Sequence, residues 1–115
     1  MPVWQLAIEI VTDIYQLTEK LPKREDYALC GQMRSAAISI AGNIAEGFGR
    51  NHTKDKMNFY YYSRASAAEE ISHLICGTKV TYFTNEEILP INNKCRKVIK
   101  ELNKILKSFR QDRKS

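Results

Sequence analysis

The feature that most limits what this chain can become is the spacing of its apolar residues. They recur every three or four positions through four long stretches and nowhere settle into the alternation of a strand. In the first stretch, about 3–20, Trp4, Ala7 or Ile8, Val11, Ile14 or Tyr15 and Thr18 fall at helical spacing. Leu21-Pro22 ends it, because the residue before a proline avoids the helical region. In the second, about 25–46, Leu29, Met33, Ala36, Ala37, Ile40 and Ile44 form one apolar stripe. Gly47 and Gly49 then predict a left-handed stop and the connecting loop GFGRNHT. The third, about 54–83, sets Met57, Tyr60, Tyr61, Ala67, Ala68, Ile71, Leu74, Ile75 and Thr78 on one side, with Asn51 or Thr53 as its cap. The fourth ends near Arg110, and two starts are open to it. Thr84-Asn85-Glu86-Glu87 fits a capping box, which makes Pro90 a kink, whereas Pro90 also suits a first helical position. Beyond it, Ile91, Cys95, Val98, Leu102, Ile105 and Phe109 step by four and three, the pattern of a bundle seam.

Four amphipathic helices on short connections pack most simply as an all-α, antiparallel, up-down-up-down four-helix bundle. The 115 residues suffice for one domain, 1–115, with a frayed basic tail from about 110. No stretch approaches the ~20 apolar residues of a membrane span. The opening MPVWQLAIEIVTDIY carries Glu9 and Asp13 and lacks the basic start of a signal peptide. The expected location is therefore the cytoplasm, with no membrane partner. Cys30, Cys76 and Cys95 are odd in number and far apart, which predicts free thiols rather than disulfides or a zinc site.

Beyond the bundle, the second helix has a surplus of apolar surface. Ile38, Ala41 and Ala45 form another strip well round from the main stripe, separated from it by Gln32, Ser35, Ser39, Asn43 and Glu46. A helix apolar on nearly all sides is buried nearly all round, which a lone four-helix bundle cannot provide. The strip therefore predicts self-association. Phe59 and Tyr62, opposite the core stripe of the third helix, fit the same interface. The net charge of +5 is unevenly spread: residues 91–115 hold nine Lys and Arg against Glu101 and Asp112, while residues 1–90 are slightly acidic. Lys97, Lys100, Lys104, Lys107, Arg110 and Lys114 step by three and four on the side away from the seam. Such a row suits a phosphate backbone, because each cation displaces condensed counterions.

Catalytic patterns are missing. Gly47-Phe48-Gly49-Arg50 lacks the length and ending of a phosphate-binding loop. His52 and His73 fit neither a di-iron carboxylate set nor the Arg-to-His spacing of small helical ribonucleases, and Glu69, four residues before His73, reads as a surface partner. The expectation is no enzyme activity, no metal and no cofactor.

QMRSAAISIAGNIAEGFGR, with Trp4, Ala7, Ile14-Tyr15, Leu21-Pro22 and Tyr27 before it and Phe59, Arg64, Ser66, Glu69 and Leu74 after it, resembles a bacterial family of four-helix-bundle proteins. This is the S23 family, encoded in intervening sequences of 23S rRNA genes; Asn43 to Gly47 carries the most specific part of the likeness. Ala41, Ala65 and Val80-Thr81-Tyr82 depart from it, the last replacing the family's Leu-Gly-Tyr. The resemblance implies an antiparallel bundle assembled as a homopentamer around a channel, without enzyme activity. A related group, the accessory proteins of diversity-generating retroelements, implies binding of nucleic acid and of a protein that handles it. The resulting expectation is a non-enzymatic homo-oligomer that binds RNA or DNA through Lys97, Lys100, Lys104, Lys107 and Arg110. Arg34, Ile38, Ser39, Asn43, Glu46, Arg50, Phe59 and Tyr62 would serve packing or subunit contacts. The rival expectation is a scaffold for an acidic protein.

Overall fold

Each connection reverses the chain. In the computed structural model, which describes residues 1–114 and side chains as far as 112, the helices are α1 (Pro2–Thr18), α2 (Leu29–Gly49), α3 (Thr53–Lys79) and α4 (Asn85–Lys114). A single 3-10 turn, Lys23–Glu25, precedes α2. Hydrogen bonds fix the directions. Arg34 Nε donates to Thr18 Oγ1 at 2.9 Å, and Ser63 Oγ donates to the Ile40 carbonyl at 2.8 Å. Arg64 reaches Asn103 at 2.7 Å while Arg110 reaches the Tyr61 hydroxyl at 3.0 Å. Lys94 meets Asp13 at 2.7 Å and Lys20 meets Glu87, which closes α4 onto α1. Low numbers pair with high ones at every seam, so the bundle is antiparallel and up-down-up-down.

One buried row from each helix makes the core: Ala7, Ile10 and Ile14; Met33, Ala37, Ile40 and Ile44; Met57, Tyr60, Ala67 and Leu74; Ile91, Cys95, Val98, Leu102 and Leu106. On α1, Ala7, Ile14 and Thr18 of the expected row are buried, but Val3 and Ile10 take the places expected of Trp4 and Val11. Trp4, Ile8 and Tyr15 are about two-fifths exposed on the outer flank. A stretch apolar at both phases does not reveal which of them faces the core. On α2, Ala41 joins the core and leaves Ile38 and Ala45 exposed in the outer strip.

Several boundaries differ from the reading of the sequence. α2 begins at Leu29 rather than near 25, where the 3-10 turn ends. Gly47 and Gly49 do not stop α2, which continues to Gly49, and no glycine adopts a positive φ. Gly47 is instead the seat of Tyr60, whose ring would stand 2.7 Å from a Cβ there. The start of α3 has neither Asn51 nor Thr53 as its cap; His52 holds that position without a side-chain bond. α3 ends at Lys79 because Thr81 turns left-handed, at φ 68°, and lets the Tyr82 and Phe83 amides donate to the Gly77 carbonyl.

The start of α4 is settled by its capping box: Thr84 N–H donates to Glu87 at 2.9 Å and Glu87 N–H donates to Thr84 Oγ1 at 3.1 Å. Pro90 therefore lies inside the helix. On the seam, Leu106 takes the buried place, and Ile105 and Phe109 are half-buried. α4 remains helical through the segment expected as a tail. The side chain of Lys114 lies outside the described residues.

Candidate functional site

The C-terminal half of α4 and the outer edge of α3 form an open groove of about 460 Å³. Ile71 and Ile99 line it together with Arg96, Lys100, Asn103, Lys104 and Lys107. The groove forms because positions 96, 99, 100, 103 and 107 follow one another at helical spacing along the side of α4 next to α3. Arg64 borders it at Asn103: its guanidinium lies 4.9 Å from the Tyr61 ring centre and is held by Asn103. Arg110 binds the hydroxyl of the same tyrosine. Three of the five cations expected to act, Lys100, Lys104 and Lys107, thus lie together in the groove. Arg110 stands at the tyrosine end, and Lys97 is exposed on α4 without lining the groove. Arg64, Arg96 and Asn103 were missed, since nothing in a single helix pattern shows which edge of α3 meets α4.

These cations have few opposing charges. Lys97, Lys100 and Lys107 make no ion pair among the described residues. Arg64, Arg96 and Arg110 are oriented by neutral oxygens of Asn103, Asn92 and Tyr61. Lys104 alone has a carboxylate, Glu101, at 3.5 Å. A guanidinium oriented by a neutral acceptor keeps its full charge for a ligand.

The residues expected at subunit contacts lie along both flanks of α2. Arg34 covers the Tyr15 ring at 4.5 Å on the α1 flank. On the α3 flank, Ser39 and Ser66 share a hydrogen bond at 2.8 Å, and Asn43 bonds back to Ser39. Arg50 pairs with Glu46 at 3.1 Å and lies over Phe59 at 4.7 Å; Phe59 meets Tyr62 edge to face. Ile38 is 51% exposed between the flanks, and Phe48 is more exposed still. Phe48, Trp4 and Met1 also frame an apolar pocket beside Ala45.

Helical spacing did not reveal a buried acid. Glu70 of α3 is fully buried; its Oε1 is 3.0 Å from His73 Nδ1, and its Oε2 has no hydrogen-bond partner. Burial, aided by Glu69, pushes its pKa up to about 9, so it is a neutral acid at pH 7. Cys95, also buried, is pushed up to about 12 by burial and remains a thiol. His73, itself half-buried, bridges the buried Glu70 and the exposed Glu69, 3.5 Å from its Nε2.

Residues 1–104 match the profile of the 23S rRNA-intervening sequence protein family. The chain belongs to that family. Among solved structures it is similar to a protein of unknown function from the S23 ribosomal protein family of Bacteroides thetaiotaomicron. The two share 23% identity over 91% of this chain and 95% of the other, with a TM-score of 0.84, a likeness of fold. Among curated proteins no match is found. The family's Asn43 to Gly47 segment acquires a physical meaning here: Asn43 braces Ser39, Ile44 is core, Glu46 orients Arg50 and Gly47 admits Tyr60. Among the described residues no helix is long and apolar enough to cross a membrane.

Proposed function

We propose that this family member is a non-enzymatic, cytoplasmic homo-oligomer that binds RNA or DNA through the α3–α4 face. One observation carries the reading: Arg96, Lys97, Lys100 and Lys107 stand along one face of α4 without a carboxylate partner. Fixed cations of one sign along a helix suit the regular charge of a phosphate backbone, and counterion release drives such binding. Self-association leaves this face free. A ring requires two different patches that meet head to tail. α2 is flanked by two: Trp4, Ile8 and Tyr15 on one flank, Phe59 and Tyr62 on the other, with Ile38 between them. Five copies, as the family resemblance implies, would multiply the positive charge and strengthen phosphate binding by multivalency.

The test is a titration against structured RNA and duplex DNA at several salt concentrations, beside a Lys100→Glu/Lys104→Glu/Lys107→Glu variant. Steep weakening with salt and failure of the variant, with its assembly intact, support the reading. No binding by the wild type at low salt removes it and leaves the face to an acidic protein partner. In the same preparation Ile38→Asp should lower the mass in solution; an unchanged mass would rule out the α2 interface.

A further inference from the structure

We infer that the α3–α4 groove takes a single strand of nucleic acid, its phosphates along α4 and its bases turned toward Ile71, Ile99 and the Arg64–Tyr61 stack; this rests on the nucleic-acid reading above. A face built only for phosphates needs cations and nothing else. This groove has an apolar floor between the helices, supplied by Ile71 and Ile99. Beside Asn103 the Arg64 guanidinium lies 4.9 Å from the Tyr61 ring centre and is tethered by a hydrogen bond to Asn103. A guanidinium plane fixed in this way offers its outer face to an unstacked base. The one aromatic among the basic residues of α4, Phe109, stacks on Tyr60 at the seam; Tyr61 enters the site only because α3 packs there. From Arg96 to Lys107 the cation row extends about 16 Å along the helix, enough for a few phosphates. The bases of a duplex are already stacked and cannot use the floor.

Electrostatics alone points the other way. A duplex carries the denser charge and releases more counterion per contact than a single strand does. A preference for the single strand therefore requires contacts to bases.

The experiment compares single-stranded RNA and DNA oligonucleotides of about fifteen nucleotides with their duplexes, at one salt concentration, using wild type and Arg64→Lys. Lysine keeps the charge and removes the stacking plane. The expected result is at least a tenfold preference for single strands. Arg64→Lys should weaken them about fivefold or more, with the duplex affinity and salt slope unchanged. Ile99→Ser should act in the same direction, with thermal unfolding followed to show that the bundle is intact. Equal or tighter duplex binding, with Arg64→Lys silent, overturns this inference while the nucleic-acid reading stands. Absence of binding to every probe overturns both.

Discussion

α4 carries cations on two sides, and the sides have opposite fates. Toward α1, Lys94 lies between Glu9 at 3.2 Å and Asp13 at 2.7 Å, and Lys20 of the α1–α2 connection answers Glu87. Hydrogen bonding to Asp13 raises the Lys94 pKa and keeps it charged. Toward α3, Lys100 and Lys107 face no carboxylate. The difference comes from the neighbouring helix rather than from α4. α1 turns two acids toward α4, whereas α3 sends Glu70 into the core, commits Glu69 to His73 and presents Arg64. Similar lysines thus become structural ties on one side and free charge on the other. A count of basic residues along a helix does not separate the two.

The comparison depends first on α3 keeping its acid inside, and the largest effect tests that. Glu70 ionises near its ordinary pKa when the chain is unfolded but only at about 9 when folded. The unfolded state therefore binds fewer protons across this window, and stability falls as pH rises from about 4.5 to 9, by at most about 1.4 kcal/mol per pH unit. The groups facing Glu70 are His73 and Glu69 of its own helix and Cys95 of α4. Glu70→Gln should abolish most of this slope in denaturant titrations at several pH values. An unchanged slope would mean that the acid is hydrated in solution.

Next in size is the free side. Lys100→Glu with Lys107→Glu should lower nucleic-acid affinity roughly 100-fold and reduce the salt slope by about two or more, with the melting temperature within a few degrees of wild type. The paired side should behave in reverse. Lys94→Ala should cost about 1 kcal/mol in chemical denaturation and leave affinity unaltered. If both variants weakened binding equally, the distinction between the sides would collapse. An effect of similar size and opposite sign concerns the turn that hands α3 to α4. Thr81 holds a left-handed conformation where glycine is at ease, so Thr81→Gly should stabilise the fold by about 1 kcal/mol in the same assay, without affecting binding.

Much of this architecture could be read in the chain. The number of helices, the capping box at Thr84 and Glu87, the α2 core stripe and the lysine row on α4 all follow from local periodicity and turn chemistry. Other features depended on partners distant in sequence. Gly47 reads as a helix stop because glycine commonly closes a helix; Tyr60, thirteen positions later, gives it another purpose. Trp4, Ile8 and Tyr15 share a helical spacing as regular as that of Ala7, Ile10 and Ile14, and only the seat offered by α2 and α4 decides which row is buried. Glu70 follows the α3 core spacing, but a charge at a core position is not legible as buried: its burial comes from the helices packed on α3, although His73 takes one of its oxygens from the next turn.

By itself, then, the sequence determined an all-helical bundle of four segments with its positive charge gathered at the C-terminal end, since these are properties of residues three and four apart on one helix. The tertiary structure decided which acids meet which cations, where Arg64 and Tyr61 stand relative to the lysine row and which apolar row stays in water. Those outcomes depend on the rotation of each helix about its own axis, which packing against two neighbouring helices sets and no single helix encodes.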